Sequence, residues 1–293
     1  MTYKLKKYIQ IMRPHHWIKN LLVFMPMITS NNLNLNYLVD ASLAFFVFSL
    51  TASSIYILND FFDLESDKKH PSKKYRPLPS NLVSLPVVLI LSISLLLISL
   101  LISFYLNVFF LIIITSYFVL NIAYSLLFKK IKFIDIFILS LFYTIRIIAG
   151  GAATKIDLSI WLILFSLTVF TSLSSIKRLG EIINLKKLNF TKIFGRDYVI
   201  EDLLKIKFLT YFSTISAIIV LILYINSPNI LNLYKSVYYL YPITVILFLW
   251  LLRLIFQTEK GNISADPIVF TITDKISYLS LAAILMLIYI GYK

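Results

Sequence analysis

Apolar runs long enough to cross a membrane recur from one end of this 293-residue chain to the other. No other feature narrows the choice of fold as much. A hydrocarbon core about 30 Å thick requires roughly 20 apolar residues of helix per crossing. The runs fall at 17–33, 37–58, 82–104, 107–127, 133–153, 158–176, 208–226, 237–256 and 272–291. The chain is 59% hydrophobic and only 14% charged, with a mean hydropathy of +0.85, so lipid is the solvent for most of it. The expected architecture is therefore all-α, a polytopic membrane protein of nine transmembrane helices.

Charge placement supports this count and gives an orientation. With the N-terminus cytoplasmic, the inside segments are 1–19, 59–81, 128–132, 177–207 and 253–275, and they hold 24 of the 28 Lys and Arg residues. The outside segments hold Lys155, Lys235 and Lys293, and Arg146 lies within a run. This is the bias of the positive-inside rule, and a wrong helix count would scramble it. In the cell membrane, the N-terminus is thus expected on the cytoplasmic side and the C-terminus outside, with the working face cytoplasmic. The net charge of +14 follows from this topology and from attraction to anionic membrane lipid, without a soluble basic face for nucleic acid. No Cys occurs, which excludes disulfides and thiolate metal sites. Arg13 and Lys19 interrupt any apolar leader core, so the start does not read as a removable signal peptide. No Gly- or Pro-rich linker divides the chain, and a single membrane domain over 1–293 is expected.

Chemistry requires polar groups, and these cluster in the inside segments. The second run ends in Asn59-Asp60-Phe61-Phe62-Asp63-Leu64-Glu65-Ser66-Asp67, followed by Lys68, Lys69, Lys73, Lys74 and Arg76. On a continuous helix Asp60, Asp63 and Asp67 stand at i, i+3 and i+7, and Asn59 joins the same face. Carboxylates and an amide at a membrane mouth suit Mg²⁺, which takes one or two carboxylates and completes its shell with water and substrate phosphates. The neighbouring lysines would hold those phosphates. The competing reading is a solvated helix end, but four acids beside hydrocarbon are costly unless they serve a purpose.

Further candidates lie elsewhere. Lys19 and Asn20 follow Arg13-Pro14-His15-His16-Trp17, which reads either as an interfacial anchor or as part of a site. Tyr124 and Ser125 precede Lys129 at the end of the fourth run. Arg146 lies inside the fifth run beside Gly150 and Gly151, and either meets a ligand or belongs to a structural network. Lys177-Arg178-x-x-Glu181 ends the sixth run; Arg offers phosphate a planar fork, Lys a point charge, and Glu181 a further metal ligand. The two longest inside segments follow the second and sixth runs, a spacing that hints at a duplicated four-helix unit.

Taken together, Asn59-Asp60-x-x-Asp63-x-x-x-Asp67, Tyr124-Ser125-x-x-x-Lys129 and the second polar motif resemble the UbiA superfamily of intramembrane prenyltransferases, over essentially the whole chain. Within it, the Arg13–Phe24 stretch, Arg146-x-x-x-Gly150 and Lys177-Arg178-x-x-Glu181 look most like the decaprenyl-phosphate phosphoribosyltransferase branch. That resemblance implies a UbiA-like bundle that joins phosphoribosyl pyrophosphate (PRPP) to a polyprenyl phosphate and releases pyrophosphate, for lipid-linked cell-wall sugar synthesis. Mg²⁺ would sit on Asn59, Asp60, Asp63 and Asp67. The catalytic set would be Asp60, Asp63, Asp67, Lys177 and Arg178, and Lys19, Asn20, Lys73, Lys74, Arg76, Tyr124, Lys129, Arg146 and Glu181 would bind substrate. A homo-oligomer is compatible with this.

Two departures matter. Prenyl-transferring members carry Asp-x-x-x-Asp as a second motif, where this chain has Lys177-Arg178-x-x-Glu181, and their Tyr and Lys stand four apart rather than five. The first departure suits a donor with an additional phosphate. The alternative is prenyl transfer from a diphosphate to an aromatic or other acceptor. A transporter would place its polar groups nearer the midplane.

Overall fold

The computed structural model describes residues 3–30, 34–69, 73–187, 191–193, 195–228, 230, 234–263, 266–271 and 273–291. Among them the only non-helical pairing is an isolated bridge between Lys192 and Val199. The helices are α1 (Tyr3–Met12), α2 (Met25–Thr29), α3 (Leu35–Phe62), α4 (Leu64–Lys69), α5 (Leu85–Leu106), α6 (Val108–Leu126), α7 (Ile134–Thr154), α8 (Ile160–Lys187), α9 (Leu203–Ile225), α10 (Tyr241–Glu259), α11 (Pro267–Thr271) and α12 (Lys275–Gly291).

Among the described residues, seven helical stretches are long and apolar enough to cross a membrane: α3, α5, α6, α7, α8, α9 with the turn before it, and α10 with the turn before it. They match seven of the nine expected runs. The other two differ. The first run is a 3₁₀ segment, Pro14–Phe24, that passes into the short α2. Pro26 has no N–H to donate, and Arg13 enters the segment from the left-handed region at φ 54, so no continuous α-helix forms there. The last, α12, has 17 residues, shorter than the others and at the lower limit for a span.

The chain divides into two compact units, Met1–Leu127 with Ile145–Leu158, and Phe128–Thr144 with Ser159–Lys293. In the first, α3 and α5 are joined by buried hydroxyls: Thr51 Oγ1 donates to Ser99 Oγ at 3.1 Å, and the Ser54 and Ser92 hydroxyls lie 2.9 Å apart. Small hydroxylated residues let membrane helices approach closely, where no hydrophobic force draws them together. Large side chains such as Ile90, Leu101, Phe104 and Tyr105 on α5 are exposed, as a lipid-facing surface requires. At Gly150 of α7 the backbone lies so near the 3₁₀ segment that a Cβ would overlap the Val23 carbonyl. In the second unit the Ser172 and Thr214 hydroxyls, 2.7 Å apart, join α8 to α9 in the same way. That helix α8 runs eleven residues past the expected end at 176, so Lys177, Arg178 and Glu181 stand on a helix that continues to Lys187.

Candidate functional site

The first unit carries the acidic motif. Helix α3 stops at Phe62, Asp63 forms the turn at φ −92°, and α4 restarts at Leu64, so the expected single helical face is broken at its middle member. The break leaves Asp60 and Asp67 buried, while Asp63 is half-buried. One cation joins the two buried carboxylates: Arg76 Nη1 lies 3.3 Å from Asp60 Oδ1 and 2.6 Å from Asp67 Oδ2. Lys73 Nζ approaches Asp67 at 3.6 Å. Arg13 Nη2 donates to Asp60 Oδ1 at 2.5 Å, with its guanidinium 5.1 Å from the centre of the Tyr56 ring. Asn59 is drawn to α6, accepting at Oδ1 from Ser125 Oγ at 2.7 Å. Arg13, Asp60, Asp67, Lys73 and Arg76 thus form one ionic centre, and Ser125, the partner of the adjoining Asn59, is next in sequence to Tyr124. Of the two readings of the Arg13 stretch, interfacial anchor or part of a site, this contact with Asp60 favours the second for Arg13.

The donor chemistry of this centre fits Mg²⁺. Its ligands are all oxygen, and Asp60 and Asp67 already converge on a positive charge, that of Arg76. Among the described residues, however, no three carboxylate or imidazole groups close on one metal-sized point. Two carboxylates with the remaining shell supplied by substrate phosphate is the arrangement this geometry accommodates.

Asn20 and Arg146 belong to a separate buried network. Arg146 Nε donates to Asn20 Oδ1 at 2.8 Å and Nη2 to the Tyr117 hydroxyl at 2.9 Å; Asn20 Nδ2 donates to Ser49 Oγ at 3.1 Å. The guanidinium also lies 5.2 Å from the Tyr117 ring centre and 5.8 Å from that of Phe48. Of the two readings of Arg146, the structure displays the network. It ties α7, α6 and α3 to the 3₁₀ segment that Pro26 keeps from becoming a span-length α-helix.

In the second unit Arg178 is completely buried. Its Nε donates to Asp135 Oδ2 at 2.6 Å and its Nη1 to Glu181 Oε2 at 2.5 Å. Asp135, also fully buried, accepts at its other oxygen from the Tyr198 hydroxyl at 2.5 Å, and that hydroxyl in turn accepts the Phe133 N–H at 2.7 Å. Burial, then the bond to Asp135, holds the Tyr198 phenol far above its usual pKa, so it remains a donor. Arg196 stands 3.9 Å from both Asp135 and Glu181. Lys177, on the more open side, lies 3.4 Å from Asp266, which also caps α11 by accepting the Ile268 N–H. The fork of Arg178 is therefore occupied by protein carboxylates, which corrects its expected position as an open phosphate ligand. A fully buried guanidinium is too costly to leave without such partners.

Lys19 and Tyr124 are half-buried, Lys129 sits on the turn Phe128–Lys130, and Lys74 lies 5.1 Å from the Tyr75 ring centre. His15 and His16 pack ring against ring, 4.2 Å between centres. Sequence reasoning missed Asp135 as the partner of Arg178, although an acid at the start of an apolar run is itself a signal. Arg196 and Tyr198 had no comparable mark.

The UbiA prenyltransferase family model matches residues 21–272. Nodulation protein NoeC of Azorhizobium caulinodans is 29% identical over 267 residues, 91% of this chain and 87% of that protein. The decaprenyl-phosphate phosphoribosyltransferase of Mycolicibacterium smegmatis is 38% identical over 161 residues, 53% of this chain and 51% of its own. A UbiA homologue from Archaeoglobus fulgidus, solved with GPP and Mg²⁺, superposes with a TM-score of 0.70 at 16% identity, covering 97% of this chain and 99% of that one, so the two share a fold.

Proposed function

The chain belongs to the UbiA prenyltransferase family, and from that premise we propose that it transfers phosphoribose from PRPP to a polyprenyl phosphate at the cytoplasmic face of the cell membrane. The observation that carries this reading is the state of the second polar motif. Asp135 and Glu181 are both held by Arg178, so the described residues offer one acidic centre with open carboxylates where prenyl-transferring relatives carry a second aspartate pair. Partial similarity to decaprenyl-phosphate phosphoribosyltransferases points the same way. Prenyl transfer from a diphosphate is the second reading, favoured by the Archaeoglobus relative solved with GPP.

In the reaction, the bond from the ribose anomeric carbon to pyrophosphate breaks with its electron pair going to the leaving oxygen. A bond from that carbon to a lipid phosphate oxygen forms. That phosphate is already anionic near neutral pH, so no side chain has to act as a strong general base. Asp60 and Asp67 would hold Mg²⁺ directly and Asn59 and Asp63 would support it through its bound water; when bound, the ion supplies charge neutralisation for the departing pyrophosphate. Arg13, Lys73 and Arg76 orient the carboxylates and present donors to phosphate oxygens. Lys74, Lys129 and Lys177 add positive charge, and Arg178 fixes the helix that displays Lys177. Asp63→Ala is expected to lower turnover about tenfold or more while leaving the protein folded. Full activity of that variant, or turnover in excess chelator, contradicts the proposal.

A further inference from the structure

The second unit contains an open cavity of about 550 Å³, within the range of small-molecule sites, lined by Lys130, Lys192, Gly195, Arg196 and Asp197. The segment carrying it is built rather than loose. The Ile193 N–H donates to the Tyr198 carbonyl, the Arg196 N–H donates to the Ile193 carbonyl, and Gly195 takes φ +74, where an added Cβ would meet nothing. Tyr198 anchors this turn to Asp135.

Arg196 is the unusual member. Arg178 takes the short hydrogen bonds to Asp135 and Glu181, and Arg196 is left at 3.9 Å from each, beyond hydrogen-bond reach. Its Nε is buried and has no hydrogen-bond partner. A guanidinium fixed by charge but with donors unspent suits a tetrahedral oxyanion. Lys192 is paired with Asp197 at 2.7 Å, but both are more than half exposed, and such a pair is readily exchanged for a stronger one. With Lys130, the wall carries three cations and one acid.

We propose that this cavity recognises a phosphomonoester, with Arg196 as its principal ligand and Lys192 and Lys130 completing the charge. The kind of ligand expected rests on the phosphoribosyl-transfer reading, which supplies two such groups, the 5-phosphate of the sugar donor and the phosphate of the lipid acceptor. The test is calorimetric titration of the full chain in phosphatidylcholine nanodiscs with ribose 5-phosphate and, separately, farnesyl phosphate; ribose and farnesol serve as phosphate-free controls. Arg196→Gln should weaken binding of one of these phosphates about tenfold or more, the scale of a charge-assisted hydrogen bond. Lys192→Glu, at an exposed position that leaves folding intact, should do the same. Dependence for ribose 5-phosphate identifies the donor as the source; dependence for farnesyl phosphate identifies the lipid. Wild-type affinity of both variants for both phosphates overturns the proposal, as does a wild type that binds neither. Arg196-dependent binding without PRPP turnover would remove the functional reading and leave the pocket; turnover with variants that bind normally would do the reverse.

Discussion

Asp135→Asn removes the countercharge from an arginine that has no access to water. Arg178 and Asp135 are both at zero exposure, 2.6 Å apart, whereas the other partner, Glu181, is 24% exposed. Removing one member of a buried pair costs about 3–5 kcal/mol, because the surviving charge remains desolvated. Glu181 still holds one arm of Arg178, so a loss near the lower end, about 3 kcal/mol, is expected. Tyr198 also loses a charged acceptor for its hydroxyl. For a chain of this size, that loss corresponds to a fall in melting temperature of roughly 6–10 °C. Glu181→Gln should cost about 1 kcal/mol, since water reaches that carboxylate. The double replacement Asp135→Leu with Arg178→Met should recover much of what Asp135→Leu alone loses, as apolar pairs of similar volume replace buried ion pairs at little cost. Thermal unfolding in detergent, followed by size-exclusion recovery, measures these four and the Arg178→Met single that completes the cycle. Equal losses for Asp135→Asn and Glu181→Gln, or strict additivity in the double variant, would refute the reasoning.

Two further outcomes are expected. A topology reporter fused after Lys293 should read as outside, and a cytoplasmic reading would contradict the assigned orientation. Asp274 is held at a pKa of about 2, first by the Arg253 guanidinium, which donates to both its oxygens at 2.7 and 2.8 Å, and also by the Ser277 hydroxyl and N–H. A depressed carboxylate contributes stability that is fully present above its unfolded value near 4 and is lost as pH falls towards 2. Melting temperature should therefore fall less steeply below pH 4 in Asp274→Asn than in wild type; identical slopes would contradict this.

The parts of the fold legible in the sequence were those governed by hydropathy alone. Seven apolar runs predict seven span-length helices because their hydroxyls donate to carbonyls of their own helix and leave the N–H to C=O ladder intact. The first run departs because Pro26 interrupts the ladder and Asn20 has a buried use, its hydrogen bonds to Ser49 and Arg146, that no hydropathy scale registers. The acidic motif was legible as a cluster since charge beside hydrocarbon stands out. Its internal geometry was not, because the helix breaks at Asp63 and Arg13, 47 positions from Asp60, supplies a cation. The second motif was read as open for the same reason: Asp135 and Tyr198, the residues that close it, are 43 positions before and 20 after Arg178, and long-range pairing of this kind leaves no periodic trace.

The central claim is that a phosphoribosyl group, not a prenyl group, moves. Purified protein with Mg²⁺ and polyprenyl phosphate should be given PRPP carrying one label in the ribose and another in the β-phosphate. The account predicts that the ribose label enters the lipid fraction while the β-phosphate label leaves as pyrophosphate, in equal amounts. Absence of ribose label from the lipid, together with transfer of the chain from a labelled prenyl diphosphate to an aromatic acceptor, would contradict it.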